Sequence, residues 1–200
     1  QLLSVDYKKI GLEDYGKPGN YVARQVSRWS KQYRASETDD IEAMNNLIEW
    51  LPKNIPDDDE TSIVHGDYRL DNMILKKNNV MGILDWELST LGHPIADFSY
   101  HCLSWRTQEA FWDQARLKEL GVPSEKEYMN MYCENTGKDL SKNWEFYMAF
   151  NMFKIAGILQ GILGRVRDGT AASKHAEDRG MMVYPLSEAA WSTIEKNFLK

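Results

Sequence analysis

Cysteine is scarce in this sequence: Cys102 and Cys133 are the two among 200 residues. Neither sits in a CxxC or Cys/His spacing, so no zinc site is expected. Two free thiols suit a reducing compartment, and a cytoplasmic location is expected. Cys102 lies in an apolar run and reads as core. Basic excess is also missing. Twenty-four Lys and Arg stand against 30 Asp and Glu, giving a net charge of -6 and a pI of about 5.3. A nucleic-acid binder needs a basic face to neutralise phosphates, so no nucleic-acid partner is expected, although a local basic pocket fits the balance. No apolar run is expected to reach the roughly 20 residues that span a bilayer. The N-terminus lacks a basic stretch followed by an apolar core, so neither a signal peptide nor a membrane partner is expected. The chain opens on Gln1 instead of Met, as expected of a processed, cleaved or partial chain.

What is present suffices for a core. Hydrophobic residues make up 42% of the chain, with seven Trp and ten Tyr. Residues 1–200 are therefore expected to form a single domain. Val22, Val26, Trp29 and Tyr33 recur at helical spacing and predict a helix over 21–35. Ile41, Met44, Ile48 and Leu51 predict a second, capped by Thr38 or Asp39 and stopped by Pro52. The acidic run DDDE at 57–60 reads as a solvated loop. The pattern then shifts to short extended segments. SIVH at 62–65, the apolar run at 72–75 and VMGILDW at 80–86 read as strands, the last two paired as a hairpin across KKNN. Helical spacing returns from Pro94 to Leu103, from Gln108 to Leu120, and from a Ser124 cap to Asn135 before Gly137. The longest helix starts at Ser141 and runs through Val166, apolar on more than one face and so central and buried. Shorter helices follow near 171–180 and 186–198. There is no internal repeat.

One stretch concentrates chemistry: IVHGDYRLDNMILKKNNVMGILDWE, 63–87. Asp67 lies in the loop after the first strand, Asn72 ends that loop, and Asp85 ends the returning hairpin strand. A hairpin brings its ends together, so Asp85 is placed near the loop holding Asp67 and Asn72. An amide and a carboxylate are hard oxygen donors suited to Mg²⁺ on nucleotide phosphates, and a separate carboxylate can orient an attacking hydroxyl.

HGDYRLDN followed by ILDWE resembles the aminoglycoside phosphotransferase/choline kinase superfamily. Protein kinases would show HRD and DFG, where this chain has Gly66, Trp86 and Glu87. Within the superfamily, WELSTLGHPIADFSY, ARQVSRWSKQYRAS and the ILQGILGR helix resemble the kinase domains fused to acyl-CoA dehydrogenases, so the likeness covers nearly the whole chain. The implied fold is the mainly helical, α+β catalytic C-terminal lobe of the kinase-like fold with a small active-site β-hairpin. The implied activity is transfer of the ATP γ-phosphate to a small-molecule hydroxyl, with ATP as co-substrate and Mg²⁺ as cofactor. Asp67 would be the catalytic base, Asn72 and Asp85 the nucleotide-bound Mg²⁺ ligands. His65 would brace the loop, Arg69 would stand near the γ-phosphate, and Asp97 would tie the loop to the helical core or cap its own helix. The branch points to a hydroxyacyl-CoA or hydroxy acid as acceptor, and oligomeric state is left open.

The family's nucleotide-anchoring β lobe and its phosphate-contacting Lys should precede the catalytic loop. The 64 residues before His65 read as helices and carry no Gly-rich loop, so that lobe is expected upstream and absent here. A catalytically silent, kinase-like ligand-binding or regulatory module is the alternative. GDYRLDN also superficially matches a metallophosphoesterase element, but no GNH accompanies it. His93, His101 and His175 read as surface or helix-cap residues, Trp105 and Trp112 as core or acceptor-pocket aromatics. Glu87 faces substrate or solvent, and Arg165 and Arg167 complement a helix C-terminus or contact an anionic acceptor.

Overall fold

Val22, Val26, Trp29 and Tyr33 form one stripe, and the helix that buries all four is α1 (Tyr21–Ser36). The computed structural model describes residues 2–77, 79–107 and 114–199. Along the chain follow α2 (Glu42–Trp50), β1 (Ser62–Val64), β2 (Met73–Lys76), β3 (Asn79–Ile83), β4 (Thr90–Gly92), α3 (Pro94–Cys102), α4 (Ser104–Thr107), α5 (Gln114–Glu119), α6 (Glu125–Thr136), α7 (Trp144–Arg167), α8 (Ala176–Met181) and α9 (Val183–Phe198). The protein is mainly helical with small antiparallel sheets, as the resemblance implied. Among the described residues no strand precedes Ser62.

The chain divides into two compact units, Gln1–Pro18 with Glu60–Trp144, and Gly19–Asp59 with Glu145–Lys200. The second unit is helical. Ile41, Met44 and Leu51 are buried around α2 as expected, joined by Ala43 and Leu47, while Ile48 is only half-buried. Neither Thr38 nor Asp39 caps it; the N-cap position is Ile41. Asp39 instead accepts a hydrogen bond from the Tyr184 hydroxyl at 2.7 Å, and Thr38 pairs with Gln160 at 3.0 Å. The acidic run is not simply solvated. Asp59 accepts the Asn20 N–H at 2.8 Å and Asp58 accepts the Tyr147 hydroxyl at 2.7 Å. Long-range partners outbid water for these carboxylates, which no sequence pattern signals.

Helix α7 corrects a second expectation. It is 24 residues long and apolar enough, by length and composition, to cross a membrane, but 72% of its most apolar stretch is buried within the protein. A helix enclosed on most sides needs no polar face, and this accounts for its composition.

The first unit carries the strands. β1 pairs antiparallel with β4, Ile63 opposite Leu91, and all three residues of β1 are buried. β4 was not foreseen: three residues become a strand only by pairing with β1. β2 and β3 form the predicted hairpin, Met73 opposite Ile83 and Lys76 opposite Asn79. Pro94 opens α3 as expected. Ser124 caps α6 in a reciprocal capping box with Glu127, and Gly137 ends it at φ +71°. Of the helix predicted from Gln108 to Leu120, α5 is seen; residues 108–113 lie outside the described residues.

Candidate active site

The loop after β1 hangs from α3. Asp97, in the first turn of that helix, accepts the His65 N–H at 2.9 Å through Oδ2 and the Gly66 N–H at 2.8 Å through Oδ1. One carboxylate thus satisfies two successive loop amides that form no ladder bonds. Gly66 adopts φ +85°, and a Cβ there would lie 2.5 Å from the Leu88 carbonyl oxygen. Left-handed backbone and close approach both demand glycine. Gly66→Ala is expected to destabilise the protein by about 2–4 kcal/mol, measured by denaturant unfolding; an unchanged midpoint would show that the loop relaxes without loss.

His65 is fully buried. Its Nε2–H donates to the Leu84 carbonyl at 2.9 Å, and its Nδ1 accepts the Asp67 N–H at 3.3 Å. A carbonyl can only accept and an amide N–H only donate, so the ring is neutral with its proton on Nε2. His65 therefore links the loop to the chain just before Asp85.

Asp67 is held at both carboxylate oxygens. Tyr100, on α3 one turn beyond Asp97, donates its hydroxyl to Oδ1 at 2.6 Å. Asn72 Nδ2 donates to Oδ2 at 3.0 Å and to the Asp67 carbonyl at 2.9 Å. Burial first, and then the bond to Asp67, push the Tyr100 phenol far above its usual range, so it stays protonated. Arg69 is exposed and pairs with Asp71, its Nε donating at 2.9 Å. The Asp71 hydrogen bond raises the Arg69 pKa, and its charge also lies near Tyr100 and Asp67.

Asp85 joins this centre through its neighbour: the Leu84 N–H donates to the Asn72 carbonyl at 2.8 Å. Asp85 is exposed and left-handed, φ 63° and ψ 58°, a conformation that Asp tolerates better than most residues. The donor set suits a hard cation. Asn72 commits its amide nitrogen to Asp67, so its Oδ1 is the amide atom suited to a cation, and Asp85 adds a carboxylate. Among the described residues no three His, Cys, Asp or Glu side chains form a metal cluster. An amide and one carboxylate leave most coordination positions to phosphate oxygens and water, as suits Mg²⁺.

The other candidates lie elsewhere or serve the scaffold. Glu87 is exposed in the short turn after Asp85. His93 is buried at the N-cap position of α3, and His175 is at that of α8. His101 is neither surface nor cap: it is half-buried within α3 and hydrogen-bonds the Tyr128 hydroxyl at 3.1 Å. Trp105 donates to the Pro123 carbonyl at 3.0 Å and stacks on Tyr128. Trp112 lies outside the described residues. Arg165 is exposed in the last turn of α7, in the other unit. Tyr100 escaped the sequence reading; its signal was its place three residues after Asp97, on the same helix face.

Residues 1–131 match the phosphotransferase enzyme family. The chain belongs to that family. A solved structure from Ralstonia eutropha, provisionally assigned as an aminoglycoside phosphotransferase, superposes with a TM-score of 0.91 at 51% identity, covering 98% of this chain and 61% of that one. Acyl-CoA dehydrogenase family member 10 of Mus musculus is 44% identical over 96% of this chain, and family member 11 of Homo sapiens 39% identical over 99%. The branch resemblance is thereby borne out. The chain spans only 19% and 26% of those two relatives. Family and fold thus make it a piece of a phosphotransferase-family protein.

Proposed function

We propose that this chain carries the catalytic centre of an ATP- and Mg²⁺-dependent phosphotransferase that phosphorylates a hydroxyl on a small molecule. One observation carries the reading: the loop that follows β1 presents a carboxylate, Asp67, fixed at both oxygens, beside an amide, Asn72, that spends its nitrogen on Asp67. Asp67 accepts the acceptor's hydroxyl and aligns it in line with the γ-phosphate. It takes the proton late, because the transition state is loose and needs little nucleophilic push. Asn72 and Asp85 hold Mg²⁺, which neutralises charge on the phosphates when bound. His65 and Asp97 keep the loop in register. Arg69, drawn between Asp71 and the Asp67–Tyr100 pair, can swing to a phosphate oxygen.

The similarity to acyl-CoA dehydrogenase family members favours a hydroxyacyl-CoA or hydroxy acid as acceptor over an aminoglycoside or choline. We place the nucleotide-anchoring lobe in sequence upstream of residue 1, within a longer natural polypeptide acting in the cytoplasm. The test is ADP release by that full polypeptide with Mg·ATP and, in turn, hydroxyacyl-CoAs, hydroxy acids, aminoglycosides and choline. Release that requires both Mg²⁺ and one acceptor class establishes the reaction and names the substrate. Tight Mg·ATP binding with no release from any acceptor favours the silent binding module. Absence of nucleotide binding ends the kinase reading.

A further inference from the structure

From the placement of Tyr100 we infer that it is a positioning residue for phosphoryl transfer, setting the orientation of Asp67. The inference rests on the reaction proposed above. Helix α3 supports three successive loop residues from one face. Asp97 holds the amides of His65 and Gly66, and one turn later Tyr100 holds the Asp67 side chain. The 2.6 Å O–H···O distance is that of a charge-assisted bond. Asp67 alone could rotate about its terminal torsion, which is broad for a carboxylate. With Oδ1 on Tyr100 and Oδ2 on Asn72, that rotation is blocked, and the remaining lone pairs point in fixed directions.

The bond also fixes which lone pairs of Asp67 remain to meet a hydroxyl, which suits a group that aligns its acceptor. The phenol is a permanent donor, because burial keeps it protonated, and its rigid ring spans the distance from helix to loop with few torsions to order. A Ser or Thr at this position would be too short to reach.

The experiment pairs kinetics with a signature that does not depend on turnover, on the full polypeptide and its Tyr100→Phe, Asp67→Asn and double variants. In the proton spectrum, a slowly exchanging downfield hydroxyl resonance is expected in the wild type. It should vanish in Tyr100→Phe and move upfield or vanish in Asp67→Asn, where the acceptor loses its charge and one of its two oxygens. A resonance that Asp67→Asn leaves unmoved overturns the inference. In the kinetic arm, Tyr100→Phe should lower kcat by about tenfold, the worth of one charged hydrogen bond, with KM for Mg·ATP within about twofold. In the Asp67→Asn background the same change should have no further effect, because the two residues act as a unit. An equal loss in both backgrounds marks Tyr100 as merely structural and overturns the inference. The expected resonances without any acceptor-dependent turnover would overturn the phosphotransfer reading itself, and the positioning role with it, leaving the bond as a structural clasp.

Discussion

Asp67→Asn is expected to abolish nearly all acceptor-dependent ADP release, lowering kcat by on the order of 10³-fold, within the range for loss of a positioned acid–base group. Nucleotide affinity should hold within about threefold, because in the proposed reaction Asp67 addresses the hydroxyl and the proposed Mg²⁺ ligands, Asn72 and Asp85, are not substituted. The structure shows why this variant is more than a charge deletion. Asn72 Nδ2 donates to Asp67 Oδ2, and Tyr100 donates to Oδ1. An amide offers one oxygen where the carboxylate offered two. If the N–H₂ group faces Asn72 Nδ2, two donors meet and that bond is lost; if it faces Tyr100, the hydroxyl accepts instead and a neutral bond replaces the charge-assisted one. The Asn72 bond to the Asp67 carbonyl survives, since it uses backbone. A drop in melting temperature of about 2–4 °C should accompany the kinetic loss. Isothermal titration with Mg·ATP, a thermal melt and steady-state rates decide it together. Unchanged turnover would remove Asp67 from the chemistry.

Asp85→Asn should produce the second large effect and act through the metal. Rates at saturating nucleotide should fall on the order of 10²–10³-fold, the scale for removing one group that stabilises transition-state charge, and the Mg²⁺ concentration for half-maximal rate should rise. Stability should barely change. Asp85 is exposed, and its left-handed backbone, φ 63°, is one that Asn also adopts readily. The substitution therefore isolates charge from conformation, which Asp85→Ala would not: a Cβ-only side chain in that region adds strain of its own. A magnesium titration of the rate at fixed ATP is the measurement. A loss of rate with no shift in magnesium dependence would take Asp85 out of the metal site.

Much of the helical fold was legible because burial writes itself at 3.6-residue spacing. Val22, Val26, Trp29 and Tyr33 marked α1, and Ser124 with Gly137 bracketed α6, since the cap and the left-handed terminator are local chemistry. The hairpin was legible because two apolar runs and the KKNN turn between them lie close together along the chain. What escaped had partners far along the chain. β4 is a strand only opposite β1, and Asp58 and Asp59 bind groups 89 and 39 residues away. The length of α7 and its enclosure were both legible, from apolar residues on more than one face; what was missed is that the run is long and apolar enough to match a bilayer.

The sequence by itself determined which groups could do the chemistry. His65, Asp67, Asn72 and Asp85 sit at a spacing that one strand, one loop and one hairpin must bring to a common end, because those elements close locally. Tertiary structure alone decided how they are held. Tyr100 lies 33 residues from Asp67 and reaches it across 2.6 Å; Asp97 lies 31 and 32 residues from the amides it binds. No periodicity encodes a hydrogen bond between a helix and a distant loop. Those contacts exist because α3 packs beneath the loop, and packing is settled by the whole chain at once.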